Sequence, residues 1–166
     1  MSAVSLLRSR SAAAHGVVDA AFGGYDLHDI ADYRRFLIAH ARALPLAEAQ
    51  AAAVWPMLRR RTPLLAADLS AMGTPTDLAE MTDEHAGPEE FGALYVVEGS
   101  RLGGGLLAGR VGAGLPNAYL SATHEPGEWR AIRAAIDAAA EGQNAAWHEA
   151  LVEGALATFR LYDPSA

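Results

Sequence analysis

Three side chains near the start of the sequence share one face of a helix. His15 and Asp19 are four residues apart, and Arg8 lies two turns before His15. An imidazole that binds a metal through one nitrogen usually donates its other N–H to an acceptor close by. Asp19 is placed to be that acceptor, fixing the tautomer of His15 and raising the basicity of its ligating nitrogen. Arg8 is placed to meet a carboxylate of whatever His15 holds. The plain alternative is a solvated His/Asp pair on a surface helix. Five other histidines compete: His28 and His85 in turn-like surroundings, His124, and His40 and His148 on helical stretches.

The second unusual stretch runs from Gly92 to Arg110 and holds Gly99, Gly103, Gly104, Gly105 and Gly109. Each glycine inside a helix costs about 1 kcal/mol relative to alanine. Keeping several implies that the backbone approaches something large or flat, or that the helix kinks. A phosphate loop is excluded by the absence of a preceding strand and by the wrong glycine spacing. A bilayer dimerisation face through Gly105 and Gly109 conflicts with Glu98, Arg101 and Arg110. Close helix packing in an ordinary core remains open.

Composition narrows the chemistry. The 166 residues include no cysteine, so thiolate metal sites, disulfides and cysteine nucleophiles are excluded. All 13 basic residues are arginine, which excludes a lysine Schiff base and a Walker-type loop. A net charge of −7 argues against nonspecific nucleic-acid binding. Arg8 and Arg10 interrupt the N-terminal apolar stretch, so no signal peptide is expected, and no stretch is apolar enough to span a bilayer. The expectation is a cytoplasmic chain that binds neither nucleic acid nor membrane.

The elements that must position these residues read as helices, with strand signals nearly absent. A first helix is expected from about Val4 to Phe22, stopped by Gly23 and Gly24. Asp29 is a cap for a second, with Ile30, Tyr33, Phe36, Leu37 and Ala41 on its repeating face. A third region spans Leu46 to Met72, divided or kinked by Pro56 and Pro63. Gly73 to Gly87 reads as a loop, and Pro88 as the first residue of a fourth helix reaching about Val111. After a connection with one helical turn come helices over Glu128–Ala140 and Asn144–Tyr162. One all-α domain over 1–166 is expected.

Two motifs resemble the heme oxygenase family, particularly bacterial members, including those associated with phytochromes. The first is Leu7-Arg8-Ser-Arg-Ser11-Ala-Ala-Ala-His15-Gly-Val-Val-Asp19; the second is Leu94-Tyr95-Val-Val-Glu98-Gly99-Ser100-Arg101-Leu102-Gly103-Gly104. Weaker likenesses lie at Asp32-Tyr33-Arg34-Arg35-Phe36-Leu37, and at Tyr119-Leu120 followed by Gly127-Glu-Trp129-Arg130. Together they cover most of the chain in the family's order. Serine stands at position 11 where many relatives have threonine, and at position 100 where the animal enzymes have aspartate. Gly105 is an added glycine.

The resemblance implies a multi-helical bundle with heme between the first helix and a kinked glycine-rich helix. His15 is then the axial iron ligand and Asp19 its brace. Arg8, with Arg130 or Arg133, meets the propionates, and Tyr119 lies in the pocket. Gly99, Ser100, Gly103 and Gly104 cover the opposite face as catalytic residues, with ordered water near Ser100. The implied reaction cleaves heme, at once substrate and cofactor, to biliverdin, carbon monoxide and iron. It needs an electron donor such as a ferredoxin or reductase, and a bilin-binding photoreceptor is a conceivable recipient. Competing readings are a non-catalytic heme or bilin carrier or sensor, a thiaminase-like enzyme lacking its cysteine, and a helical interaction module without ligand.

Overall fold

The computed structural model describes residues 1–79 and 81–163, and every regular element among them is helical. The helices are α1 (Ala3–Gly23), α2 (Ile30–Val54), α3 (Thr62–Ala71), α4 (Pro88–Ala108), α5 (Ala118–Ser121), α6 (Glu128–Ala140) and α7 (Ala145–Tyr162). The expected all-α architecture is what forms.

Helix starts follow local chemistry. The Ser2 hydroxyl accepts from the Ser5 amide, and Asp137 of α6 accepts from the Val4 amide at 3.0 Å. Two of the orphan donors that open α1 are thereby satisfied. Asp29 accepts from the Asp32 amide at 2.8 Å, as its cap position predicts. Pro88 is the first residue of α4, and the Glu90 carboxylate reaches back to the Gly87 amide at 2.8 Å.

Three boundaries or faces differ from expectation. α2 does not stop before Leu46; it continues to Val54 through the buried Pro45. A proline deprives the carbonyl four residues back of its donor. Burial of alanines on both sides of Pro45 carries the helix past that loss. The Leu46–Met72 region is divided as Pro56 and Pro63 imply, into the end of α2, a non-helical segment over 55–61, and α3. Ile30 does not join the buried face; as the first residue of α2 it is 48% exposed. α4 ends at Ala108, three residues short of Val111.

α4 packs chiefly on α7 and α2, and α1 lies against α7. One core cluster joins Leu7, Ala43, Ala47, Leu94, Val97, Ile132, Ile136 and Leu151. A second joins Leu27, Tyr33, Phe36, Leu37, Leu65, Leu69, Tyr119 and Leu120. The glycines set the closest helix approach. A Cβ on Gly154 would fall 2.1 Å from the Glu89 carbonyl oxygen, and one on Gly92 2.3 Å from that of Leu151. No helix among the described residues is long and apolar enough to cross a membrane.

Candidate functional site

Between the two clusters a cavity of about 310 Å3 opens to solvent, walled by α1 on one side and α4 on the other. Its size falls in the range of small-molecule and cofactor sites. α1 contributes His15, Val18, Asp19 and Phe22, and α4 contributes Tyr95, Val96, Gly99, Ser100, Leu102, Gly103, Gly104 and Leu107. Both sequence motifs thus face one slot. His40, Arg61, Tyr119, Leu120, Trp129, Phe159 and Tyr162 complete the lining.

His15 stands at the mouth with its side chain 60% exposed, its ring edge-on to Phe159 at 5.7 Å. Its Nδ1 is 3.3 Å from Asp19 Oδ2. With Nδ1 turned to the carboxylate, Nε2 is the nitrogen left to bind a ligand. Among the described residues no three His, Asp or Glu side chains converge as a metal site. A single imidazole suits an ion whose other ligands arrive with it.

Gly99 and Gly103 lie one turn apart on the slot side of α4. A Cβ on Gly103 would meet nothing within 4 Å, and one on Gly99 only the Trp129 ring at 4.0 Å. These glycines leave space that side chains would fill, whereas Gly104 is packed against Leu120. Ser100 spends its hydroxyl proton on the Val97 carbonyl at 2.6 Å and accepts from Arg61 Nη2 at 2.8 Å.

Arg61, with Arg101 the largest fully buried side chain among the described residues, was not legible as a site residue. It sits in the run Arg59-Arg60-Arg61 between Pro56 and Pro63, where nothing local marks the third arginine as buried. Its Nη2 also donates to the Val97 carbonyl at 2.9 Å, and its guanidinium lies 5.3 Å from the centre of the Tyr119 ring. Glu48, fully buried on α2, balances the charge. It accepts from the Arg61 amide at 2.6 Å, the Thr62 amide at 3.1 Å and the Thr62 hydroxyl at 2.7 Å. Glu48 interrupts the alanine-rich face of α2, which was the one signal that a buried cation lay nearby.

His40, a competitor in sequence, also reaches the slot, between the rings of Phe22 at 4.4 Å and Phe36 at 4.2 Å. Its Nδ1 is 2.9 Å from the Phe36 carbonyl, which can only accept, so Nδ1 carries the proton and Nε2 is a bare lone pair. Burial lowers its pKa to about 4, and it is neutral at pH 7. Burial likewise pushes Tyr119 up to about 12. Tyr119 is fixed by Asp68, whose carboxylate accepts from the amides of Ala118 at 3.1 Å and Tyr119 at 2.9 Å. The Tyr162 hydroxyl, buried in the lining, has no protein partner.

Arg8, Arg130 and Arg133 do not line the slot; all three are exposed, on α1 and α6. Arg8 and Arg133 do act electrostatically on Tyr95, drawing its pKa down against the larger upward effect of burial. Their positive field therefore reaches the slot through Tyr95, a lining residue that sequence reasoning quoted in a motif but gave no role. His148 bonds the Asn144 carbonyl at the start of α7, and His28 and His85 pair with Asp26 and Asp83 on the surface.

The slot has one free imidazole nitrogen, bare glycine backbone on α4, and a lining tyrosine, Tyr95, within the field of Arg8 and Arg133.

A heme oxygenase of Xanthomonas campestris pv. campestris (strain 8004) is 35% identical over 107 residues, 61% of this chain and 64% of that protein. The matched stretch thus spans just under two thirds of that relative. A heme oxygenase from Neisseria meningitidis, solved with NO and CO bound, superposes with a TM-score of 0.73 over 98% of this chain and 88% of that one, at 20% identity. No family model matches. The chain thus has the fold of a bacterial heme oxygenase and, over 107 residues, is similar in sequence to another.

Proposed function

We propose that this chain is a heme oxygenase, one domain that binds heme in the α1–α4 slot through His15 and cleaves it to biliverdin, carbon monoxide and iron. The observation that carries the reading is that the two motifs, 75 or more residues apart in sequence, face each other across one open cavity, with the His15–Asp19 pair on one wall and the bare Gly99–Gly103 backbone on the other. Bound heme supplies the redox-active iron and the carbon to be oxidised, with oxygen and electrons from outside.

The protein's own residues do the positioning. Asp19 holds the His15 tautomer that offers Nε2. Gly99 and Gly103 let backbone approach the ligand face and limit what else fits there. Arg8 and Arg133 attract the anionic arms, with Tyr95 between them and the slot, and Arg130 adds positive charge on the same helix as Arg133. Arg61 and Ser100 present a fixed hydrogen-bonded pair beside the glycines, and neutral His40 offers a proton acceptor at the slot's inner end. Tyr119 backs Arg61. An electron donor of the ferredoxin or reductase kind is required, and delivery of product to a bilin-binding photoreceptor is a compatible fate.

Titration with hemin tests binding first. The wild-type chain gives a Soret band typical of histidine-ligated heme, and His15→Ala abolishes it. Adding a reductase or ascorbate under air then yields biliverdin. An unchanged spectrum and affinity in His15→Ala would sink the ligand assignment. Tight binding with no biliverdin would leave a carrier on the same scaffold.

A further inference from the structure

We infer that Trp129 forms the side wall of the slot and stacks on the edge of the bound tetrapyrrole, with His124 as the residue that positions it; this rests on the heme reading above. Trp129 enters α6 just after Gly127, whose φ of +83° turns the chain sharply. Its ring reaches across to α4, with Cη2 4.0 Å from where a Cβ of Gly99 would stand. It also lies 6.1 Å from the Tyr95 ring at 36°. One flat surface therefore borders both the bare glycine backbone and the residue through which the arginine field reaches the slot.

Behind Trp129, away from the slot, lies a buried charged cluster. The His124 ring stacks on the indole at 5.6 Å and 22°. His124 Nε2 is 3.0 Å from Glu98 Oε2; an ionised carboxylate only accepts, so Nε2 donates. The opposite nitrogen, Nδ1, is buried without a partner. The plane of the imidazole is thus set by two things, the Glu98 bond and the indole stack. Glu98 is itself clamped by Arg101, through Nη2 at 2.9 Å and Nε at 3.1 Å. Arg101 also donates to the carbonyls of Ala122 at 3.0 Å and Arg59 at 2.7 Å, tying α4 to the segment before α6 and to the 55–61 segment.

Burying such a cluster is costly unless every member is paired. None of Glu98, Arg101 or His124 lines the slot, so they do not act on a ligand directly. What they fix is a plane. An aromatic ring held at one angle loses little freedom when a flat conjugated ligand stacks on it.

The experiment uses the full chain and gallium protoporphyrin, a diamagnetic stand-in for heme. The chain has three tryptophans, Trp55, Trp129 and Trp147, and only Trp129 lines the slot. On titration, the indole Nε1–H resonance of Trp129 shifts further than those of the other two. Hemin titrations of variants follow, with far-UV circular dichroism as the folding control. Trp129→Leu weakens hemin about fivefold and Trp129→Phe restores most of it. His124→Ala weakens hemin about threefold alone, and adds nothing in the Trp129→Leu background. A Trp129 shift no larger than that of Trp147, or a His124→Ala loss of equal size in both backgrounds, overturns the inference. Failure of the wild-type chain to bind hemin at all overturns the heme reading as well. Normal wild-type binding with unaffected variants overturns this inference alone.

Discussion

Arg61 Nη2 donates to Ser100 Oγ at 2.8 Å, joining the segment after α2 to the slot face of the glycine-rich helix. The serine proton is already committed to Val97, so the pair is ordered in one direction, with Arg61 as donor. Ser100 is thus a support for Arg61 rather than an independent proton source.

The two members of this pair differ in cost. Ser100→Ala removes one of two acceptors on Nη2, leaving the Val97 carbonyl, and costs about 1 kcal/mol of stability. Arg61→Met leaves the Glu48 carboxylate buried without a countercharge, and costs about 3 kcal/mol or more. Urea unfolding of the two variants measures the difference. Equal losses would mean that Glu48 does not depend on Arg61.

Gly103 trades stability for space. Its Cβ position is open, so Gly103→Ala gains helix propensity of about 1 kcal/mol and raises the melting temperature of the ligand-free chain. The same methyl intrudes on the slot, and hemin affinity falls. Thermal melting of the free protein and hemin titration on one preparation check both signs. A rise in both stability and affinity would refute the view that this glycine is kept for the ligand.

Gly154 is the opposite case. Its Cβ would overlap the Glu89 carbonyl, backbone that cannot rotate away, so Gly154→Ala forces α7 off α4. Overpacking of this kind costs about 3 kcal/mol. The expected outcome is a melting temperature well below wild type, with circular dichroism still helical. Because α4 carries the slot wall, hemin affinity also falls. An alanine variant as stable as wild type would show that the helices separate easily.

These two glycines show where sequence reading stops. Helical spacing, caps and the Gly23, Gly24 and Pro88 signals place most helices, because those signals are local. That the His15–Asp19 and Gly99–Gly103 faces oppose each other followed from the family resemblance alone, since spacing along each helix does not say what the helix faces. Gly154 and Gly103 look alike in sequence, since one abuts backbone and the other open space only after the helices assemble. Arg61 was invisible for the same reason: a third consecutive arginine has no local mark of burial. Continuation of α2 through Pro45 has no local mark either, because it depends on tertiary burial of the flanking alanines.

His40 makes stability depend on pH. Its pKa is about 4 in the folded chain, chiefly through burial, against 6.5 when exposed. Above pH 6.5 the ring is neutral in both folded and unfolded states, and its contribution is fully present. Between pH 6.5 and 4 the unfolded chain takes up a proton that the folded chain refuses, so stability falls as pH falls, by about 3 kcal/mol across the window. Glu128, drawn down to about 2 chiefly by its bond to Arg59, loses its contribution at lower pH, between about 4.5 and 2. Melting curves from pH 7 to 4 should therefore decline, and His40→Phe should flatten that decline, since phenylalanine carries no proton. The ring still packs between Phe22 and Phe36, so the variant folds. A slope as steep in His40→Phe as in wild type would assign the pH dependence to another group.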